Sequence, residues 1–150
     1  MLSDLTTNQK GAIAEASIAR EAIKLGIEVY RPVMEGGRFD LIFLLGDRLT
    51  RVQCKWAPRQ GDIVLVRCYS CRRAREGMRV RTYSADEVDA FAAYSPDTDR
   101  CYFIPIERCC GQRHVQLRLE PSRNNQRAGV HWAAEYEFAA TIGRAIAAGP

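Results

Sequence analysis

Apolar residues change their spacing as the chain proceeds. Over 7–25 a stripe at 12, 15, 16, 19, 22, 23 and 26 reads Ala, Glu, Ala, Ala, Ala, Ile, Gly, the three-to-four-residue rhythm of a helix facing a sheet. Thr6-Thr-Asn-Gln9 has the form of a capping box, and Gly26 stands where a C-terminal glycine cap belongs. Short apolar runs bounded by turn residues follow. They predict strands over 28–31, 38–45, 49–56, 62–68, 79–83, 100–106 and 114–119, with Pro32 and Gly36-Gly37 punctuating the first connection. Ser84-Ala-Asp-Glu87 repeats the capping-box pattern and predicts a short helix to about 94, 121–126 reads as loop, and the tail from Ala133 reads as helix. A helix followed by meandering strands predicts an α+β fold: an N-terminal helix packed on a central mixed β-sheet, with flanking helices.

The run from Phe39 to Trp56, FDLIFLLGDRLTRVQCKW, departs from this pattern. Gly46-Asp47 is a two-residue hairpin turn with glycine first, as a type II′ turn prefers. Leu45 then opposes Arg48, Asp40 opposes Gln53, and Arg38 opposes Lys55. Parity sends these four polar side chains to one face. Directly opposed Cβ atoms lie about 5 Å apart, so Asp40, Gln53 and Lys55 converge. Glu15 is a lone acid inside the helix stripe, among small residues that permit close approach. A carboxylate buried there needs a cation, and a divalent metal shared with Asp40 meets that need. A plainer reading also fits: an Asp40–Lys55 diagonal salt bridge, with Glu15 at the edge of the helix face.

Two carboxylates suit a hard cation such as Mg²⁺ or Mn²⁺ that prefers oxygen ligands. Glu15, Asp40 and the backbone carbonyl of Cys54 are the candidate ligands, and Gln53 offers a side-chain carbonyl. A metal of this kind lowers the pKa of a bound water. Lys55 is placed to position that water or to offset charge on a phosphoryl oxygen. The chemistry predicted is metal-assisted phosphodiester hydrolysis by Glu15, Asp40, Gln53 and Lys55.

Composition narrows the setting. The 150 residues are 47% hydrophobic and 27% charged, as expected of one globular domain over 1–150. No run approaches the roughly 20 apolar residues of a membrane span. The N-terminus lacks the layout of a signal peptide, so the expectation is a soluble, cytoplasmic protein with no membrane partner. The net charge of +4 is mild, but its distribution is informative: lysine occurs only at 10, 24 and 55, and the remaining cations are arginine. Six of these arginines, Arg67, Arg72, Arg73, Arg75, Arg79 and Arg81, crowd one segment against a single acid, Glu76. With Tyr69, Ser70, Arg72, Arg73 and Arg75 near its tip, this segment is the first candidate for double-stranded DNA, because arginine forks onto phosphate and guanine. A solvated hairpin or a subunit contact is the alternative. Arg123, Asn124, Asn125, Gln126 and Arg127 form a second candidate, whose amides suit adenine or phosphate but are also ordinary turn residues. Lys10 is placed to meet a phosphate beside the metal. Six cysteines without an export signal imply reduced thiols. Cys68-Tyr-Ser-Cys71 has the CxxC spacing, and Cys109-Cys110 with His114 completes a conceivable zinc set, weighed against small buried thiols. Trp132, Tyr136 and Phe138 read as core or subunit interface.

Glu15, then Asp40 at a strand start, then Gln53-Cys-Lys55 resembles the core of the PD-(D/E)XK nucleases. Gln53 stands where the second acid usually stands, and Phe39 takes the place of the usual proline. NQKGAIAEASIAREAIKLGIEVYRPV, the hairpin, and LRLEPSRNNQRAGVHWAAEYEF extend the likeness to the small homing endonucleases associated with bacterial group I introns. The resemblance implies Mg²⁺-dependent cleavage of double-stranded DNA by a homo-oligomer, dimer or tetramer. It also implies Glu15, Asp40, Gln53 and Lys55 as the catalytic set. Two other functions fit the same residues: a junction-resolving or repair nuclease, and a non-catalytic DNA-binding regulator.

Overall fold

The structure, a computed structural model, describes residues 2–109, 111–124 and 127–148. Helix α1 spans Thr7–Lys24. Thr6 Oγ1 accepts the Gln9 N–H at 3.2 Å and Gln9 Oε1 accepts the Thr6 N–H at 2.9 Å, the reciprocal box expected from the sequence. At the other end Gly26 adopts φ +79°. Its N–H reaches Ile23 C=O at 2.9 Å and Ile27 N–H reaches Ala22 C=O at 3.1 Å. This pair of bonds closes the helix as a Schellman motif.

The strands are β1 (Glu28–Tyr30), β2 (Leu41–Leu45), β3 (Arg48–Trp56), β4 (Arg59–Gln60), β5 (Ile63–Arg67), β6 (Tyr69–Ala74), β7 (Gly77–Thr82), β8 (Ala90–Ser95), β9 (Arg100–Pro105), β10 (His114–Arg118) and β11 (His131–Trp132). Helices α2 (Ala133–Tyr136) and α3 (Phe138–Ala148) follow. A five-stranded sheet runs β1-β2-β3-β8-β9, with β3 and β8 parallel and the other neighbours antiparallel. A four-stranded sheet runs β11-β10-β5-β4, and β6 with β7 forms a two-stranded ribbon.

The first sheet is covered on both faces. Leu41, Phe43, Leu45, Val52, Ala90, Ala92 and Phe103 pack against Ala14, Ile18 and Ala22 of α1 and against Phe138 and Ile142 of α3. The rings of Phe43, Phe103 and Phe138 meet with centroids 6.2 to 6.3 Å apart. On the other face Phe91, Ala93, Tyr102 and Ile104 pack against Val64, Val66, Val115 and Leu117 of the second sheet. Tyr136 and Phe138 are core, in keeping with their reading as buried aromatics.

Two expectations fail. The helix predicted to 94 is instead a single turn followed by β8. Glu87 Oε1 does accept the Ser84 N–H, at 3.3 Å, so the local signal acts for one turn. The apolar run Ala90-Phe-Ala-Ala-Tyr94 then becomes the middle of the doubly covered sheet, where every side chain finds apolar neighbours. The stripe predicted on α1 is rotated as well. Ala14, Ile18 and Ala22 are buried, whereas Ala12, Ala16 and Ile23 are exposed. Alanine lines several sides of this helix, and the helix rolls to bury its bulkier Ile18.

Candidate active site

The two-residue turn holds. Leu45 opposes Arg48 and Leu41 opposes Val52. Gly46 adopts φ +65°, open to glycine without strain. Strand pairing ends at Leu41, one residue after Asp40. Asp40 N–H still donates to Val52 C=O at 2.9 Å. Its carboxylate Oδ2 accepts the Cys54 N–H at 2.9 Å. The side chain thus takes the place of a backbone carbonyl that β2 does not supply, which turns the carboxylate toward the backbone of β3.

Leu41, Phe43 and Val52 face α1, so Gln53 and Lys55 project from the opposite face. Lys55 Nζ donates to Tyr69 C=O at 2.8 Å and sits 5.3 Å from the centre of the Tyr83 ring. Burial is the largest influence on both charged groups. It pushes the Asp40 carboxyl up, against the Cys54 N–H and the Lys55 charge. It pulls the Lys55 ammonium down, against Asp40. Desolvation outweighs mutual attraction on each side, so this is a poor structural salt bridge with the perturbed ionisation typical of functional sites. Gln53 Oε1 is buried with no hydrogen-bond partner, an unfavourable placement unless a ligand completes it.

Glu15 arrives from the α1 side. Its carboxyl is raised by burial, lowered by Arg31, and raised again by Asp40 and Glu35. Arg31 Nη1 lies 3.6 Å from Glu15 Oε1. A partly exposed arginine thus faces Glu15, where the sequence led to the expectation of a divalent metal shared with Asp40. Glu15 sits on the shoulder of the buried helix line, half-buried, and reaches Asp40 past the start of β2.

The donor chemistry fits a hard divalent cation. Glu15 and Asp40 offer carboxylate oxygens, and Gln53 offers the orphaned carbonyl. The Cys54 C=O leaves the same edge of β3 as its N–H, toward Asp40. The Cys54 thiol points instead into the core beneath α1, where burial pushes its pKa well up, so the backbone oxygen is the available donor. Among the described residues no group of three or more His, Cys, Asp and Glu side chains is placed to hold a metal. Mg²⁺ does not require one, since it commonly takes one or two carboxylates with waters and substrate phosphate. The zinc set is not assembled: Cys68 is buried, Cys71 is exposed on the ribbon, and Cys110 lies outside the described residues.

The ribbon leads directly from β5 and begins at Tyr69, whose carbonyl holds Lys55. Register puts Ser70, Arg79 and Arg81 on one face, and Tyr69, Cys71, Arg73, Met78 and Val80 on the other. Arg67, Arg73, Arg75, Arg79 and Arg81 are exposed; the Arg72 side chain, like Asn125 and Gln126, lies outside the described residues. Arg123, Asn124 and Arg127 are exposed in the loop after β10. Because His114 pairs with Arg67 and Arg118 with Ile63, that loop leaves the second sheet at the end away from the ribbon, roughly 13 Å along the strands. Lys10 is half-buried on the first turn of α1, roughly 140° around the helix from Glu15.

Sequence reasoning missed three groups around Lys55: Arg38 as a contact rather than a bystander, Tyr83, and Glu87. Arg38 stacks 3.7 Å over the Tyr83 ring and donates to Glu87 at 2.7 Å. Its place opposite Lys55 in the hairpin register was the available signal. A cleft of about 600 Å³ opens at the far end of the sheet, lined by Arg48, Glu107, Tyr136 and Arg144, and includes none of Asp40, Gln53 or Lys55.

The sequence model of the PD-(D/E)XK endonuclease family matches residues 5–139. No curated protein sequence matches the chain. Among solved structures the chain is similar to a bacterial homing endonuclease, I-Ssp6803I, with a TM-score of 0.74 and 21% identity over 94% of this chain and 97% of that one. At that identity the likeness concerns the fold. No helix among the described residues is long and apolar enough to cross a membrane.

Proposed function

The chain belongs to the PD-(D/E)XK endonuclease family, and on that premise we propose that it is a Mg²⁺-dependent, site-specific endonuclease of the homing type. It hydrolyses phosphodiester bonds in double-stranded DNA, acts in the cytoplasm as a homo-oligomer, and carries one nuclease domain over 1–150. The structural neighbour's identity as a homing endonuclease supports the type. A duplex has two strands to cut and each chain carries one site, which supports an assembly whose symmetry the target mirrors.

One observation carries the reading. Asp40 and Lys55 interact although burial pushes each toward its neutral form, and the carbonyl of Gln53, two residues before Lys55 on the same strand, is buried without a partner. Glu15, Asp40, the Cys54 carbonyl and Gln53 would hold the cation. When bound, Mg²⁺ supplies Lewis acidity to the scissile phosphate and lowers the pKa of a water. Lys55, held by the Tyr69 carbonyl, orients the attacking water and offsets charge building on the phosphoryl oxygens. Asp40 is itself held in place by the Cys54 N–H. The arginine ribbon grips the duplex, the readiest use of exposed, clustered arginine.

The test is cleavage of plasmids carrying intron insertion sites, with Mg²⁺ supplied. Discrete products that disappear in Lys55→Ala support the proposal. Undiminished cutting by Lys55→Ala, or no cutting by any preparation, defeats it. Faster cutting of four-way junctions than of linear duplex would move the activity to junction resolution.

A further inference from the structure

The arginine ribbon is a sheet of its own, pairing with neither of the larger sheets. Its root is nevertheless tied to the catalytic face. Arg38 Nη1 donates to Ser70 Oγ at 2.9 Å and Nη2 to Thr82 C=O at 2.8 Å. Ser70 belongs to β6 and Thr82 to β7, so one guanidinium spans both arms. Nε is taken by Glu87 Oε2 at 2.7 Å, and the flat face of the group rests on Tyr83. Tyr69, paired with Thr82, gives its carbonyl to Lys55 at 2.8 Å.

We infer that Arg38 is a positioning residue, whose guanidinium locks the ribbon root to the catalytic face so that Tyr69 holds Lys55 where the chemistry needs it. The inference rests on the nuclease reading above. Only a planar fork meets these partners at once. A lysine ammonium at this position is a point donor and cannot span Ser70, Thr82 and Glu87 while lying on Tyr83. Glu87 Oε2 also accepts from Arg81 at 2.8 Å. The Arg81 side chain is 67% exposed on the ribbon, whereas that of Arg38 is 23% exposed beneath it. A phosphate that takes Arg81 leaves the Glu87 Oε2 to Arg38 alone, so DNA seated on the ribbon is felt at the lock. Arg38 itself is occupied by its protein partners and contributes rate rather than grip.

The experiment is single-turnover cleavage over a protein-concentration series, using the linear duplex that the wild-type chain cuts. The series separates the saturating rate from the half-saturating concentration. Arg38→Lys should lower the saturating rate about tenfold or more, since a displacement of about 1 Å in a reacting group costs up to about 100-fold. Its half-saturating concentration should stay within about twofold. Glu87→Gln should lower the rate in the same direction by a smaller factor, and it decides the matter if Arg38→Lys does not fold. A raised half-saturating concentration with an unchanged saturating rate would make Arg38 an ordinary DNA contact. A lowered melting temperature with both kinetic values unchanged would make it purely structural. Either outcome overturns the inference while leaving the nuclease intact; failure of the wild-type chain to cut, or full activity of Lys55→Ala, defeats the nuclease reading itself.

Discussion

Two of the molecule's antiparallel hairpins are put to opposite uses. The β2–β3 hairpin lies inside the first sheet, covered by α1 on one side. Its first strand, Leu41–Leu45, is wholly apolar, and burial displaces the ionisation of Asp40 and Lys55. The β6–β7 ribbon stands outside both sheets and exposes arginines along its length. Burial sharpens electrostatics by removing water, which favours chemistry at one phosphate. Exposure keeps charge solvated, which favours many weak, salt-sensitive phosphate contacts. If this division holds, substitutions in the first hairpin should abolish rate, and substitutions in the second should weaken binding.

The largest effect is expected at the centre of the buried hairpin. Lys55→Ala and Asp40→Asn should each lower the saturating cleavage rate by roughly 1,000-fold, the scale of losing one preorganised electrostatic group. Asp40→Asn should not lower the melting temperature at pH 7. The folded-state pKa of Asp40 is raised, so its protonated form is the one that folding favours. That stability is full below the ordinary 3.8 and is lost as pH rises through the raised value. At neutral pH the ionised carboxylate therefore weighs against the fold, and the amide relieves it. Calorimetry and cleavage on the same preparation check both halves; an Asp40→Asn chain that is less stable yet active would erase the contrast between the hairpins.

The same displacement predicts the pH response. Protons compete with the cation for Asp40 and Glu15, whose pKa values lie above the ordinary 3.8 and 4.5. Affinity for Mn²⁺, followed by water-proton relaxation, should fall as pH drops through those raised values, by roughly tenfold per pH unit for each carboxylate titrating. A midpoint at or below 3.8 would mean that the carboxylates are not desolvated as the fold places them.

How much of this was legible in the chain follows from how local each signal was. The register of Asp40, Gln53 and Lys55 could be read because a two-residue turn and strand parity are properties of adjacent residues. The turn of the Asp40 carboxylate toward the β3 backbone could not, since it depends on where β2 stops. Strand β8 was misread because Ala90–Tyr94 is apolar at every position but the last, and such a run has no period to separate a strand from a helix. Its partner β3 lies more than thirty residues earlier in the chain, beyond the reach of a capping motif. Glu15 was expected to need a cation, but its pairing with Arg31, just past the end of β1, was not anticipated because it joins two elements separated by a turn. Arg38 was visible as the residue opposite Lys55; its three hydrogen bonds come from residues that only the fold assembles.

The ribbon should respond more gently. Arg75→Gln with Arg79→Gln should weaken duplex binding by roughly tenfold at moderate salt. It should also flatten the logarithmic salt dependence by about 1.8, close to 0.9 for each lost phosphate contact. The saturating cleavage rate should stay within about threefold. Arg79 is paired with Glu76 at 2.9 Å, but both side chains are largely exposed, so releasing Glu76 costs little stability. Filter binding across a salt series checks the slope. A collapse in saturating rate at unchanged slope would mean that the ribbon does chemistry rather than gripping, contrary to the division drawn from exposure.

The smallest effect, and the finest test of the buried hairpin, lies at Gln53. Its carbonyl oxygen is buried without a partner, whereas an apolar side chain of similar length has nothing to leave unsatisfied. Gln53→Met should therefore stabilise the metal-free chain by about 1 kcal/mol, within the range of an unmade hydrogen bond. The same substitution removes the oxygen proposed as a ligand, so Mn²⁺ affinity should fall by a few-fold while Asp40 and Glu15 continue to hold the ion. The opposite signs matter most. A residue kept only for packing would lose stability on replacement, and one irrelevant to the cation would leave its affinity unchanged. Denaturant melts in chelator, set beside a Mn²⁺ titration, read the two signs independently. A destabilised Gln53→Met chain with unaltered Mn²⁺ affinity would return Gln53 to the core and leave the two carboxylates and the Cys54 carbonyl to hold the cation alone.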